Sequence, residues 1–144
     1  MPENILLIGD DRVEADAIRT ALANSRYVSF RVAWVRRCSE AIARLAAEDE
    51  LSGTYQAHGF AAILLDLYLR DTHGIETFNR LFRVAPQIPI LVLAAAQDEH
   101  VARAAVQHGA QDYLLKSIFS GCLLPWALRN IVARSSHTRF WPQS

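Results

Sequence analysis

Short apolar stretches alternating with amphipathic ones predict a doubly wound α/β domain: a five-stranded parallel sheet with helices on both faces. Three observations carry this. Ile5 to Ile8, Ala61 to Leu65 and Ile90 to Leu93 are apolar at every position, the pattern of strands buried on both faces. Between them, apolar residues recur at helical spacing instead. Strand and helix signals follow in the order βαβαβαβαβα, which implies crossover connections and a parallel sheet. Right-handed crossovers then restrict the topology.

Taken in order, Ile5 to Ile8 forms the first strand, ended by Gly9-Asp10-Asp11. From Arg12 the period changes, and Val13, Ala17, Ile18 and Leu22 share one helical stripe, stopped by Asn24-Ser25. Phe30, Val32 and Trp34 alternate as a second strand. Ser39 has the chemistry of an N-cap for a helix carrying Ile42, Leu45 and Ala46. The polar stretch from Leu51 to Gly59 reads as a loop or a fraying extension of that helix. Ala61 to Leu65 is the third strand and stops at Asp66; Ile75, Phe78, Leu81 and Phe82 make the next helical stripe after Gly74. Pro86 and Pro89 bracket a loop before the fourth strand, Ile90 to Leu93. A helix from about Asp98 to His108 ends at Gly109, a C-cap residue. Tyr113 to Leu115 is a short fifth strand before Lys116. Leu124, Leu128, Ile131 and Val132 stripe the last helix, with Pro125 in its first turn. Residues 1–134 form the domain in this reading, and 135–144 a tail or the start of a linker.

The 144 residues suffice for one domain, and a 51% hydrophobic content supplies its core. Fifteen basic and fifteen acidic residues cancel, which argues against nucleic-acid binding driven by bulk charge. No apolar run approaches the ~20 residues that span a bilayer, and the start lacks the basic and apolar regions of a signal peptide. A cytoplasmic protein with no membrane partner is the expectation. Cys38 and Cys122 form no CxxC, and the five histidines make no metal-ligating spacing. Fourteen of the fifteen basic residues are arginine, and the one lysine is Lys116.

Three strands end in charge: the first at Asp10-Asp11, the third at Asp66, the fifth at Lys116. In a parallel sheet these ends share one edge, where ligands of such folds bind. Two like charges about 5 Å apart repel by about 3 kcal/mol at an effective dielectric of 20, so the edge needs cations. Lys116 supplies one. A hard divalent cation such as Mg2+ suits the oxygen ligands as a second. A carboxylate beside such a cation and a lysine is a competent phosphoryl acceptor.

With these residues in these places, the chain resembles the response regulator receiver domains of two-component signalling, the CheY-like family. That fold has strand order 2-1-3-4-5. The resemblance runs from about Asn4 to Arg134. It implies a phosphoacceptor at Asp66 in Ile-Leu-Leu-Asp-Leu, and Mg2+ held by Asp10, Asp11, Asp66 and the carbonyl of Tyr68. Gly74 matches the loop glycine before the third helix, and Gly109 to Lys116 looks like the final strand motif. That motif makes Lys116 the phosphate-contacting lysine and Tyr113 the switch aromatic. Four positions depart from the family. The phosphate-contacting and switch hydroxyl at the end of the fourth strand is replaced by Ala94, which weakens the coupling to Tyr113. Ser117 stands where proline follows the lysine, and Arg70 stands where a proline is frequent. The gap from Asp11 to Asp66 is longer than usual, with the excess between Glu48 and Gly59.

The resemblance further implies a sensor histidine kinase or phosphotransfer protein as donor, a signalling rather than an enzymatic role, an output domain in a longer protein, and homodimers as a further assembly. The alternative reading is a receiver-like interaction module that is never phosphorylated, favoured by Ala94 and Ser117. It is opposed by the presence of Asp10, Asp11, Asp66 and Lys116 together. A nucleotide- or flavin-binding enzyme of this topology needs a glycine-rich phosphate loop after the first strand. Gly9-Asp10-Asp11 offers one glycine and two repelling charges.

Overall fold

The computed structural model describes residues 3–25, 29–52, 59–116 and 123–140; of 48–52 and 135–140 it describes the backbone. The strands are β1 (Glu3–Ile8), β2 (Phe30–Val35), β3 (Ala62–Asp66), β4 (Ile90–Ala94) and β5 (Asp112–Leu115). The helices are α1 (Arg12–Ala23), α2 (Cys38–Ser52), α3 (Ile75–Val84), α4 (Glu99–His108) and α5 (Leu123–Phe140), with a 3-10 turn at Ala96–Asp98. All strand pairs are parallel, in the order β2-β1-β3-β4-β5, the sheet the sequence predicts.

Because strand side chains alternate between faces, the three central strands feed two separate cores. Leu6, Ile8, Ile63, Leu65, Ile90 and Val92 pack on one face with α2, α3 and α4 residues such as Leu45, Phe78, Leu81 and Ala102. Ile5, Leu7, Ala62, Leu64, Leu91 and Leu93 pack on the other with Ile18 and Leu22 of α1 and Leu124, Leu128 and Ile131 of α5. This is why β3 and β4 carry no polar residue before their ends, and β1 none after Asn4. Gly109 ends α4 as expected, at φ 130°. It also lies against α3, where a Cβ would meet the Phe82 ring at 2.7 Å.

Two elements differ from the sequence reading. Ser39 does not cap α2. The helix begins at Cys38, and its first amides are capped from far along the chain: Cys38 N–H and Ser39 N–H donate to Asp71 Oδ1 and Oδ2, each at 2.9 Å. Glu40 Oε1 accepts from the amides of Arg36 and Arg37 at 3.1 and 3.0 Å. A carboxylate supplied across space outcompetes the local hydroxyl because it satisfies two orphan donors with a full charge. The helix then runs through Ser52; the rest of the stretch to Gly59 lies outside the described residues except Gly59 itself. At the other end, α5 continues past Arg134 to Phe140, so most of the stretch read as tail or linker is helical.

Asp71 also carries a testable consequence. Burial disfavours its charge, but the amides of Ser39 and Cys38 outweigh burial and hold its pKa below the ordinary value. A carboxylate depressed in the folded state adds stability above its unfolded pKa and loses it as pH falls through the folded value. Asp71→Ala is therefore expected to cost about 1–2 kcal/mol at pH 7, a difference that shrinks below about pH 4. Urea denaturation at both pH values checks it, and an equal cost at pH 3 would contradict the charge-based cap.

Candidate functional site

The carboxyl ends of the strands gather the charged residues, as their positions in a parallel sheet require. Gly9, Asp10 and Asp11 follow β1, Asp66 ends β3, Ala94 ends β4 and Lys116 follows β5. The turn after β1 is held in place: Gly9 N–H donates to Val35 O at 3.1 Å, and Trp34 Nε1–H donates to Gly9 O at 2.7 Å. A Cβ at Gly9 would sit 3.7 Å from Asp66 Cβ, so the first acidic turn lies directly beside Asp66.

Asp66 is 8% exposed and both its oxygens are engaged. Oδ1 accepts from Tyr68 N–H at 3.0 Å, and Oδ2 accepts from Lys116 Nζ at 2.7 Å. Lys116 Nζ also reaches Glu14 Oε1 at 3.1 Å, bridging α1 and β3. Burial works against the Lys116 ammonium, but Asp66 and then Glu14 outweigh it and raise its pKa. At Glu14 the balance is reversed. Burial is the largest cause and, with repulsion from Asp66 and Asp11, raises its pKa against the lowering by Lys116. The ammonium lies closer to Asp66, at 2.7 Å, than to Glu14, at 3.1 Å.

Asp11 and Asp10 serve different neighbours. Asp11 caps α1, its Oδ1 accepting from Val13 N–H at 2.9 Å and Glu14 N–H at 3.2 Å; Oδ2 stays outside the cap. Asp10 turns to two arginines: Oδ2 pairs with Arg70 Nε at 2.9 Å and Oδ1 with Arg36 Nε at 3.5 Å. The donor chemistry of Asp10, Asp11, Asp66 and the Tyr68 carbonyl, oxygen throughout, fits a hard cation. Among the described residues, however, no three acidic, histidine or cysteine side chains are drawn into one cation cage. The Asp10 carboxylate is paired instead with Arg36 and Arg70.

Ala94 is buried in the same core cluster against which the half-buried Tyr113 ring packs. The Tyr113 hydroxyl donates to Glu99 Oε2 of α4 at 2.7 Å and accepts from Arg103 Nε at 3.4 Å. Tyr113 is therefore tied to α4 through side chains that the sequence reading did not single out. Tyr68 stands 41% exposed beside Asp66. Burial of its hydroxyl, and a hydrogen bond and charge from Asp98, raise its pKa. Ser117 and Cys122 lie outside the described residues. Sequence reasoning also missed Glu14, Arg36 and Asp71. Glu14 carried a signal, because three residues beyond Asp11 on a helix returns the side chain to the same end.

The response regulator receiver domain family matches residues 5–124. The chain is 30% identical over 131 residues to the swarming motility regulation protein RssB of Serratia marcescens, covering 91% of this chain and 50% of that protein. It is 30% identical over 134 residues to the response regulator MprA of Mycolicibacterium vanbaalenii, covering 93% and 49%. The chain thus spans about half the length of these relatives. Among solved structures, a putative response regulator from Chloroflexus aurantiacus superposes with a TM-score of 0.75 at 24% identity, covering 93% of this chain and 100% of that one. The signal receiver domain of an HD domain-containing protein from Pseudomonas fluorescens gives 0.78 at 18%, covering 98% and 94%. At these identities the two likenesses show the fold.

Proposed function

The chain belongs to the response regulator receiver domain family, and on that premise we propose that Asp66 accepts a phosphoryl group from a histidine kinase or phosphotransfer protein. Receiver domains are signalling domains of two-component systems; they interact with histidine kinases and output domains and generally bind Mg2+ at their acidic site. The observation that carries the residue-level reading is the pairing of buried Asp66 with Lys116 at 2.7 Å. A nucleophile is thereby held beside the one flexible cation able to follow the charge as it moves.

In the proposed step an oxygen of Asp66 attacks phosphorus. The new bond is the P–O bond of an acyl phosphate, the donor's P–N bond breaks, and the departing imidazole takes a proton. The Tyr68 amide orients the carboxylate, and Lys116 turns from it to the phosphoryl oxygens. Asp11, Asp66 and the Tyr68 carbonyl would hold the Mg2+, with Asp10 assisting; the cation would neutralise charge on the phosphoryl oxygens. Water attack on the acyl phosphate would reset the domain. Output would run through α4, β5 and α5, with Tyr113 reporting and Ala94 weakening the coupling. A fused output domain and homodimerisation are the proposed routes for that output, in the cytoplasm. No described helix is long and apolar enough to cross a membrane.

Incubation with acetyl phosphate and Mg2+ tests this reading. The intact mass is expected to rise by one phosphoryl group, and hydroxylamine, which cleaves acyl phosphates, should remove it. A protein that gains no phosphoryl mass from either acetyl phosphate or a phosphorylated histidine donor would instead support the unphosphorylated interaction module.

A further inference from the structure

We infer that Arg36 and Arg70 are built-in counter-ions of the acidic pocket, which set its affinity for a divalent cation by holding Asp10 away from it. This deepens the function proposed above and rests on the reading of the strand-edge carboxylates as a cation site.

The clamp comes from two flanking segments, one at the end of β2 and one after β3. It engages both oxygens of a carboxylate that is 28% exposed, through Arg70 Nε at 2.9 Å and Arg36 Nε at 3.5 Å. Arg36 Nη2 also donates to the Asp10 carbonyl at 3.3 Å. Arg36 is positioned by stacking: its guanidinium lies 5.1 Å from the Trp34 ring centroid, and Arg19 lies 5.7 Å from the same centroid. Trp34 in turn donates to Gly9 O, one residue before Asp10. The indole, the guanidinium and the acidic turn therefore form one continuous contact.

Charge completes the argument. Lys116 pairs with Asp66 and Glu14, and the two arginines pair with Asp10. Three cationic side chains face four carboxylates once Asp11 is included, so the pocket nears charge balance with no added cation. A divalent cation that recruits Asp10 must displace the arginines, and its affinity is lowered by the free energy of those pairs.

The test is a Mg2+ titration of the whole chain, followed by amide NMR shifts at Gly9, Asp11 and Tyr68 and by the Trp34 indole N–H. The proteins are the wild type, Arg70→Gln, the Arg36→Gln/Arg70→Gln double variant, and Arg37→Gln. Arg37 is an exposed neighbour whose described hydrogen bonds are made by its backbone alone, its amide donating to Glu40 and its carbonyl accepting from Ala41 N–H. The double variant is expected to bind Mg2+ about fivefold more tightly than wild type, on the scale of exposed ion pairs. Arg70→Gln should gain part of that, and Arg37→Gln should match wild type. Arg70 reaches the site through Asp10 alone among its described contacts, so this single variant decides the matter if the double variant loses its fold. Equal affinity in wild type and both clamp variants would overturn the inference and leave the proposed function standing. An equal gain in Arg37→Gln would also overturn it, because general surface charge would then be the cause. No Mg2+ binding by any of the proteins would overturn both.

Discussion

Asp66→Asn is expected to take up no phosphoryl group from acetyl phosphate or a phosphorylated histidine donor, under conditions where the wild type gains one. The carboxamide keeps the size of the side chain and an oxygen able to accept from Tyr68 N–H, which now donates at 3.0 Å. What it loses is the charged nucleophilic oxygen. Lys116 keeps Glu14 as a partner at 3.1 Å, so no buried ammonium is left unpaired, and the fold should survive within about 1–2 kcal/mol. Intact mass and circular dichroism, measured on the same sample, separate loss of the acceptor from loss of structure. Asp10, Asp11 and Glu14 are the other carboxylates at this edge, but the first is committed to two arginines, the second to the α1 amides and the third to Lys116. A phosphoryl mass that persists undiminished in folded Asp66→Asn would move the acceptor to one of them.

The fold was legible because its central strands have one use for their residues. Every position of β3 and β4 is buried, and a run of that kind between amphipathic helices fits few other architectures. The placement of Asp10, Asp11, Asp66 and Lys116 at one edge followed from the same fact. What the sequence hid depended on contacts between distant loops. Ser39 carries a good cap side chain, yet Asp71, more than thirty residues on, takes its place. Arg36 and Arg70 are two of fourteen arginines; Arg70 stood out only as a replacement for proline, and neither showed a link to Asp10 until the segments after β2 and β3 brought both to it. The need for counter-charge was readable, but it pointed to Lys116 and a metal ion where the protein supplies arginines too. Trp34, which sequence distance sets apart from the site, is bonded to the acidic turn itself and so can report on it by fluorescence.

The switch shows the same division. Ala94 in place of a hydroxyl residue was visible by position, and with it the expectation of weak coupling to phosphate. The hold on Tyr113 was not, because Glu99 and Arg103 gain meaning only when α4 packs beside β5. A tyrosine hydroxyl bonded at 2.7 Å to a carboxylate has its own restraint, independent of any group at the β4 end. Glu99 is held below the ordinary pKa first by that hydroxyl and then, against some burial, by Arg103.

Lys116→Arg is expected to slow phosphoryl uptake by Asp66 about tenfold or more while leaving the chain folded. The ammonium sits 2.7 Å from Asp66 Oδ2 and 3.1 Å from Glu14 Oε1, with a quarter of the side chain exposed. A guanidinium is planar and forked and pairs best with both oxygens of one carboxylate. Here Asp66 Oδ1 already accepts from the Tyr68 amide, so arginine could meet Asp66 end-on only. Nor could it turn as freely toward the phosphoryl oxygens. Misplacing one hydrogen bond to a charged group costs about 1.5–3 kcal/mol, which at about 1.4 kcal/mol per decade is at least tenfold in rate. Lys116→Ala separates the structural share, because it leaves Asp66 and Glu14 without a cation and is expected to destabilise by about 1–3 kcal/mol at pH 7. The sign of the pH dependence follows from the raised pKa of Lys116. Its stabilisation is full below its unfolded pKa of about 10.4 and is lost only as pH rises through the still higher folded value. Glu14, whose pKa is raised chiefly by burial, takes up its proton as pH falls toward its folded value. The cost of Lys116→Ala should therefore shrink as pH falls and Glu14 takes up its proton. Uptake rates of wild type and Lys116→Arg, with urea denaturation of Lys116→Ala at pH 7 and pH 5, check both parts. An arginine variant that takes up phosphate as fast as wild type would show that any cation at this strand end suffices, and that the chain's single lysine stands there by chance.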